Sequence, residues 1–465
     1  MDPYVLRTSE DKVEQTKSDF RGSCVKSPNE ENIKLLLSEE WCTNDIGIKL
    51  LSQDPHAYTY LITKPDPNKL TKTIIRVMLP VDPYFKTQAE VSSLEWVRQY
   101  TSLPVPKVVI FDPTGTTQIG LEWIVLECSQ GQVPPMAEAE VGEANWEMVS
   151  DEKKRSLIRQ LVAFYSATFD HQLSTIGSLY MGHATGRRDR DDKVGVIVSP
   201  EFYMDNQKVN IGRGPFRNSA EWLQIRIEMK QRDSLAISNT DVALKTKHII
   251  DRLKRLRGRL FDSILFEPTV LTNCDINYNS ILMNRNKLVG ILGWEHTSAL
   301  PLWKGCELPK FLQGVARNQQ PEERYYLDEH GQWLAGAEED FAKHMLQWER
   351  TSLQKMFLNE MSQACPQWTT IYNSPITRLR KDYDIAVSFC DNASTQASIE
   401  RWLYTVESGL ENIRLQDPGK NRVDISSLGF TIRSLQDRIY DSTNVSDTAR
   451  QPVTGPESYI LHMFR

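Results

Sequence analysis

Between Ile46 and Glu127, short apolar runs alternate with proline-bearing turns, and a single helix-spaced stretch interrupts them. Ile46–Ser52 and Ala57–Thr63 have strand character and are split by Asp54-Pro55. Pro65-Asp66-Pro67-Asn68 reads as a turn, Thr73–Leu79 as a third strand, and Pro80-Val81-Asp82-Pro83 as the break that ends it. Lys86–Tyr100 then reads as a helix, because Val91, Leu94 and Val97 recur at three-residue spacing with Trp96 at their edge. Val105–Phe111 and Ile119–Glu127 are two more strands on either side of the turn Asp112-Pro113-Thr114-Gly115. Three strands, one helix and two strands in runs this short predict a small antiparallel sheet carrying one helix.

Past Gly131-Gln132 the character changes. Trp146–Gln172 has Leu157, Leu161, Phe164 and Tyr165 at helical spacing, and Ser219–Arg259 is largely helical. Thr269–Leu292 returns to short strands and turns, and beyond Pro321 helices dominate, notably Glu338–Gln363 and Ser394–Leu415. The expected organisation is an N-terminal extension over 1–45, with a helical stretch near Glu31–Trp41, then a β-rich lobe over 46–127. A mainly helical lobe over 128–440 and a polar tail over 441–465 complete it.

Composition removes several functions. Hydrophobic residues make up 40% and charged residues 25% of the 465, a balance that excludes wholesale disorder. No run approaches the eighteen or so apolar residues of a membrane span. A net charge of −6 argues against a general nucleic-acid coat. The first residues carry early acids and no apolar core, unlike a secretory signal. Seven cysteines, an odd number with no C-x-x-C pair, argue against a disulfide framework and a structural zinc site, so a reducing cytoplasm is the expected compartment.

The chemistry concentrates in Leu271–Phe311. Ile281-Leu282-Met283 and Leu288–Leu292 read as two arms of a β-hairpin around Asn284–Lys287, with Asp275 just before the first arm and Glu295 just after the second. Such a hairpin brings acids from its two ends together, which suits a metal or a proton transfer. The competing reading is that Asp275 caps a turn and Glu295 pairs with a surface base. In the β-rich region, Arg76 interrupts the run Ile74–Met78. A buried Arg needs a partner, for which Glu90 is the natural choice; the alternative is an exposed strand-face Arg.

The segment resembles the catalytic region of the aminoglycoside-phosphotransferase family, particularly its fungal members. Those carry a His-x-Asp-Leu-x-x-x-Asn-Ile-Leu loop, a Gly-Ile-Ile-Asp-Trp-Glu strand end and often Ser-Ala-Leu-Pro-Leu-Trp. Ser298-Ala299-Leu300-Pro301-Leu302-Trp303 matches the last of these in full. Upstream, Ile75-Arg76-Val77, Pro80-Val81-Asp82-Pro83, Lys86-Thr87, Glu90-Val91, Pro104–Val108, Gly120–Ile124, Leu126-Glu127, Ile176–Tyr180 and Arg213-Gly214-Pro215-Phe216 match in the expected order. The likeness runs from about Ile46 to Leu312.

This resemblance implies an α+β, two-lobed protein-kinase-like fold, with a small antiparallel β lobe bearing one helix and a large, mainly helical lobe. It implies ATP as cofactor and phosphoryl transfer to a small-molecule hydroxyl, a reaction catalysed by positioning and charge neutralisation. Asp275 falls where the family places the acceptor of the hydroxyl proton, Arg76 where kinases place the phosphate-holding Lys, and Glu90 where its ion-pair partner stands. The backbone near Glu127 and Cys128 falls at the adenine hinge. Three positions depart: the motif His is Asn273, the magnesium-holding Asn is Ser280, and the second magnesium ligand, an Asp, is Gly293. Gly293 has no side chain, and a neutral hydroxyl is a poorer ligand for a hard cation. Asn279 and Glu295 are the nearest substitutes.

Other features carry less. The turn Ser52–Ala57 holds Asp54 and Pro55, which do not make a phosphate cradle. Cys274 has no neighbouring base and reads as inert, His296 as a structural hydrogen-bonder, and Arg187–Lys193 as a solvated loop of mixed charge. The leading expectation is a degenerate, pseudokinase-like member that binds a small molecule or a protein partner in its cleft, with ATP admitted as a ligand and magnesium disfavoured. The runner-up is an active transferase of fungal secondary metabolism, either ATP-dependent or repurposed for acyl or aminoacyl transfer, with Asp275 as general base.

Overall fold

A computed structural model describes residues 27–53, 57–64, 71–127, 149–180, 193–203, 212–262, 264–274, 276–284, 287–409 and 415. Asp275 and Cys128, the Asp54-Pro55 and Pro65–Asn68 turns, most of Arg187–Lys193 and the tail over 441–465 lie outside those residues. The chain divides into two compact units. One is built from the segments up to Ser199, Gly212–Ser219 and Leu265–Ser374, the other from Pro200–Ile211, Ala220–Ile264 and the residues from Pro375 onward. The stretch read above as one helical lobe contributes to both.

The first unit opens with helix α1 (Glu30–Trp41), whose N-cap Asn29 accepts from the Glu31 amide. Strands β1 (Gly47–Gln53), β2 (Ala57–Lys64) and β3 (Thr71–Met78) follow, then helix α2 (Phe85–Tyr100) and strands β4 (Lys107–Asp112) and β5 (Trp123–Glu127). The five strands form one antiparallel sheet in the order β1-β2-β3-β5-β4. The expected strand–strand–strand–helix–strand–strand series is therefore present. The last strand is shorter than Ile119–Glu127, because a turn occupies Gln118 and Ile119 and is closed by the Gly120 amide donating to the Thr117 carbonyl at 2.9 Å.

Period-two alternation splits the sheet's side chains between two faces. Tyr58, Tyr60, Ile62, Ile75, Val77, Trp123 and Val125 pack with Ile33, Leu36 and Leu37 of α1, so the helix of the N-terminal extension covers one face. Ala57, Met78, Ile124 and Leu126 join Val91, Leu94 and Val97 of α2 in the main core. Arg76 lies between Ile75 and Val77, opposite Ile124 in register, and so belongs to the α2 face.

The rest of this unit is built on α3 (Asp151–Asp170), the short pair β6 (Leu179–Tyr180) and β7 (Lys193–Val194), and four further strands. Of these, β8 (Thr269–Thr272) pairs with β11 (Ser298–Pro301), and β9 (Ile281–Asn284) with β10 (Lys287–Ile291). The long helix Ala337–Ala364 packs with α3, placing Phe357 against Tyr165 and Trp368. The second unit is helical, with Thr240–Phe261, Pro375–Phe389 and Ala393–Glu407 enclosing Leu253, Tyr383, Val387 and Leu403. Inside it Arg226 is buried between Glu201 and Asp384, so its charge is met on two sides.

Candidate functional site

On the α2 face of the sheet a group of ionisable side chains is taken out of water together. Arg76 donates one guanidinium arm to Glu90 and the other to Glu295, the latter at 3.4 Å. Glu90 is 2% exposed and Lys86, one helical turn before it, 1%. Positions four apart on a helix share a face, so α2 aims both at the same place. Burial lowers the basicity of the Lys86 ammonium, against the pull of Glu295 and Glu90. Burial would raise the Glu295 carboxyl, but Arg76, His296 and Lys86 outweigh it and hold it at about 2.

The start of α2 is fixed by a third carboxylate. Glu122 accepts from the Tyr84 amide at 2.5 Å and from the Thr87 hydroxyl. Tyr84 has φ 69°, a region that costs a bulky residue, and the Glu122 contact sits at that turn. Burial pushes the Glu122 carboxyl up to about 7 in spite of those two hydrogen bonds and of Lys86. Just upstream, buried Asp82 takes both arms of Arg213, at 2.9 and 2.5 Å, and Arg213 also donates to the Ile197 carbonyl. Lys86, Glu122 and the Asp82–Arg213 pair escaped the residue reading above. Their only signal was charge placed within the Pro80–Pro83 break and the short motifs Lys86-Thr87, Gly120–Ile124 and Arg213–Phe216.

The hairpin supplies the other side. Ile281, Leu288, Ile291 and Trp294 are buried in the main core, and the Trp294 indole donates to the Ile291 carbonyl at 2.7 Å. The two ends of the hairpin are tied together. The Leu292 backbone amide donates to the Ser280 carbonyl at 2.8 Å, and the Asn273 side-chain Nδ2 donates to the Gly293 carbonyl at 2.9 Å. Asn273, standing for the motif His, thus holds the backbone of the position that lacks the motif Asp.

The departing positions are now concrete. The Ser280 hydroxyl donates to the Asn277 carbonyl and accepts from the Asn277 amide, both at 2.9 Å, which closes a tight local turn. Gly293 has φ 78°, and among the described residues, its chain neighbours apart, no atom lies within 4 Å of where a Cβ would stand. Glu295, a substitute ligand by spacing, reaches Arg76. The backbone of Asn279 lies in a single 3₁₀ turn with Tyr278 and Ser280; its side chain is outside the described residues. The donor set that resemblance assigns to magnesium therefore does not fit the described residues, and no group of three His, Cys, Asp or Glu side chains among them is placed to hold a metal. Glu127 ends β5 and meets Lys107 at 3.3 Å on the surface, and Cys274 is exposed and forms no disulfide.

No protein-family profile matches the chain. A subtelomeric hrmA-associated cluster protein of Aspergillus fumigatus strain CEA10 is 26% identical over 161 residues, and its counterpart in strain Af293 is 25% identical over 156. Each match covers 32% of this chain and 29% of the relative, so the chain spans under a third of the length of the curated relatives it matches. Among solved structures, the chain is similar to a thermostable mutant of aminoglycoside phosphotransferase APH(4)-Ia in ternary complex with AMP-PNP and hygromycin B. There the identity is 11% over 81% of this chain and 99% of that one, with a TM-score of 0.40. The gentamicin complex of APH(2'')-IIa gives 10% identity over 84% and 99%, with a TM-score of 0.38. No helix among the described residues is long and apolar enough to cross a membrane.

Proposed function

We propose that this protein is a degenerate phosphotransferase-like chain. It binds a small molecule in the cleft where the Arg76–Glu90 pair faces the end of the β9–β10 hairpin, and does not carry out magnesium-dependent phosphoryl transfer. Asp275 is the proposed contact for a ligand hydroxyl, and the backbone at Glu127 and Cys128 the proposed hinge contact. One observation supports this reading: among the described residues, the side-chain oxygens that would meet a divalent cation at the hairpin end are absent at Gly293 and engaged elsewhere at Ser280 and Glu295.

The magnitude decides between a slow enzyme and a binding protein. Phosphoryl transfer depends on neutralising charge that spreads over the phosphate oxygens. Losing one preorganised stabilising group costs about 3–4 kcal/mol, and each 1.4 kcal/mol is about tenfold in rate. Two lost ligands bring a thousand-fold loss or more, while the apolar frame of the hairpin stays intact. The test is ADP release from ATP and magnesium by the full chain, with melting temperature read in parallel. The expected result is no release above buffer and no magnesium-dependent rise in melting temperature. Hydroxyl-substrate-dependent ADP release that disappears in Asp275→Asn would overturn the reading in favour of an active transferase.

A further inference from the structure

We infer that Glu295 determines which ligands the cleft admits. Its carboxylate occupies the edge of the Arg76 guanidinium that a ligand phosphate would use, so polyphosphates are turned away and the cleft takes a small molecule without a phosphate chain. This deepens the reading given under Proposed function and rests on it.

Charge balance is the first support. Arg76 and Lys86 bring two positive charges, and Glu90 and Glu295 two negative ones, so these four side chains sum to zero. Glu122 adds a further carboxyl beside them. A triphosphate arriving without a neutralising cation meets no surplus positive charge on these four side chains, and would have to displace a carboxylate from Arg76.

Geometry is the second. Glu90 already completes a buried pair with Arg76 from helix α2, so stability alone does not call for another acid. Glu295 nevertheless comes from the far side of the site, two residues after Gly293, and reaches the second guanidinium arm at 3.4 Å. Its other oxygen, Oε2, is buried and accepts no hydrogen bond among the described residues. An acid held with one oxygen unsatisfied adds a desolvation cost that packing does not require. The guanidinium fork suits phosphate and carboxylate alike, so the carboxylate stands where a phosphate would.

The experiment is calorimetric titration of the full chain with ATP and with inorganic triphosphate, both in EDTA. Wild type is expected to bind neither below millimolar concentrations. E295Q, which keeps the shape and removes the charge, is expected to bind both about tenfold or more tighter. E295A serves as the second variant, because a Gln amide can keep a hydrogen bond near Arg76. R76Q/E295Q should lose the gain. Equal affinity in wild type and both Glu295 variants would overturn the inference, as would a gain that survives in R76Q/E295Q. Wild type supplies an arm independent of any variant's folding: a rise in its melting temperature with triphosphate well below millimolar concentration in EDTA also overturns it. ADP release from ATP and magnesium by wild type would sink the proposed function instead, and leaves these metal-free titrations to be read separately.

Discussion

On the sheet side of the first unit the charged chemistry is dense and engaged: Arg76 is shared by Glu90 and Glu295, Lys86 is buried beside them, and Glu122 fixes the start of α2. On the hairpin side of the same unit Ile281, Leu288, Ile291 and Trp294 are packed in the core, whereas the described polar positions are blank at Gly293 or folded inward at Ser280. Two different physical demands explain the contrast. Burying each large apolar side chain contributes about 1.5–3 kcal/mol, which keeps the frame in place whatever the site does. The Ser280 hydroxyl contributes about 1 kcal/mol through its local bonds, so nothing in the fold forces that position to serve a metal. The hairpin's shape is thus held independently of whether its end serves a metal.

The strongest way to break this contrast is to attack the frame. Trp294→Ala removes an indole that is fully packed, edge-on to Phe164 and bonded to the Ile291 carbonyl. It should cost about 3–5 kcal/mol, read from urea denaturation midpoints. A loss below about 1 kcal/mol would mean that the hairpin is not held by its apolar residues, and the division between frame and chemistry would fail.

The sheet side yields to pH. The Glu122 carboxyl sits at about 7 in the folded protein against an ordinary value of 4.5. The folded state therefore holds this proton more tightly than the unfolded chain does. The stability it contributes is fully present below about 4.5 and is lost as pH rises through about 7, a change on the order of 3 kcal/mol. Glu122→Gln should flatten that part of the stability profile and should exceed wild type in stability at pH 8. If wild type shows no decline between pH 5 and 8 that the variant lacks, Glu122 is ionised in the fold and the sheet side carries one more negative charge than argued above.

The same contrast governs what could be read without coordinates. Period-two and period-three patterns identified the five strands and α2 because burial imposes them on several residues at once. The hairpin arms were legible for the same reason, through Ile281, Leu288 and Ile291. Glu295 was not: its spacing suggested a metal ligand, and only the fold shows it across from Arg76, more than two hundred positions away in sequence. Lys86 and Glu122 were missed because a buried ionisable residue has no periodic signature; its partners come from separate elements. The β8–β11 pair was likewise hidden, since Thr269–Thr272 and Ser298–Pro301 are four-residue strands separated by the whole hairpin.

Ser280 offers a finer test. Ser280→Ala removes both hydrogen bonds with Asn277 and should cost about 1 kcal/mol with no change in magnesium affinity. A drop in magnesium affinity would show that the hydroxyl leaves its turn to serve a cation, and the hairpin side would then be chemically live.

Gly293→Asp carries the smallest expected change in stability and the most direct bearing on the contrast. Among the described residues, chain neighbours apart, no atom approaches within 4 Å of the missing Cβ. The cost is conformational: at φ 78° an L-residue with a Cβ is disfavoured by about 1 kcal/mol, and Asp tolerates that region better than most. The variant should therefore fold, with a small fall in melting temperature. It places a carboxylate at the hairpin end, on a backbone that Asn273 already holds, and magnesium affinity measured by calorimetry should rise. If it rises, the blank position is what separates this cleft from a metal-using one. If it stays at the wild-type level while the protein is folded, the hairpin end does not face a cation at all, and the silence of this region has a cause other than the lost side chain.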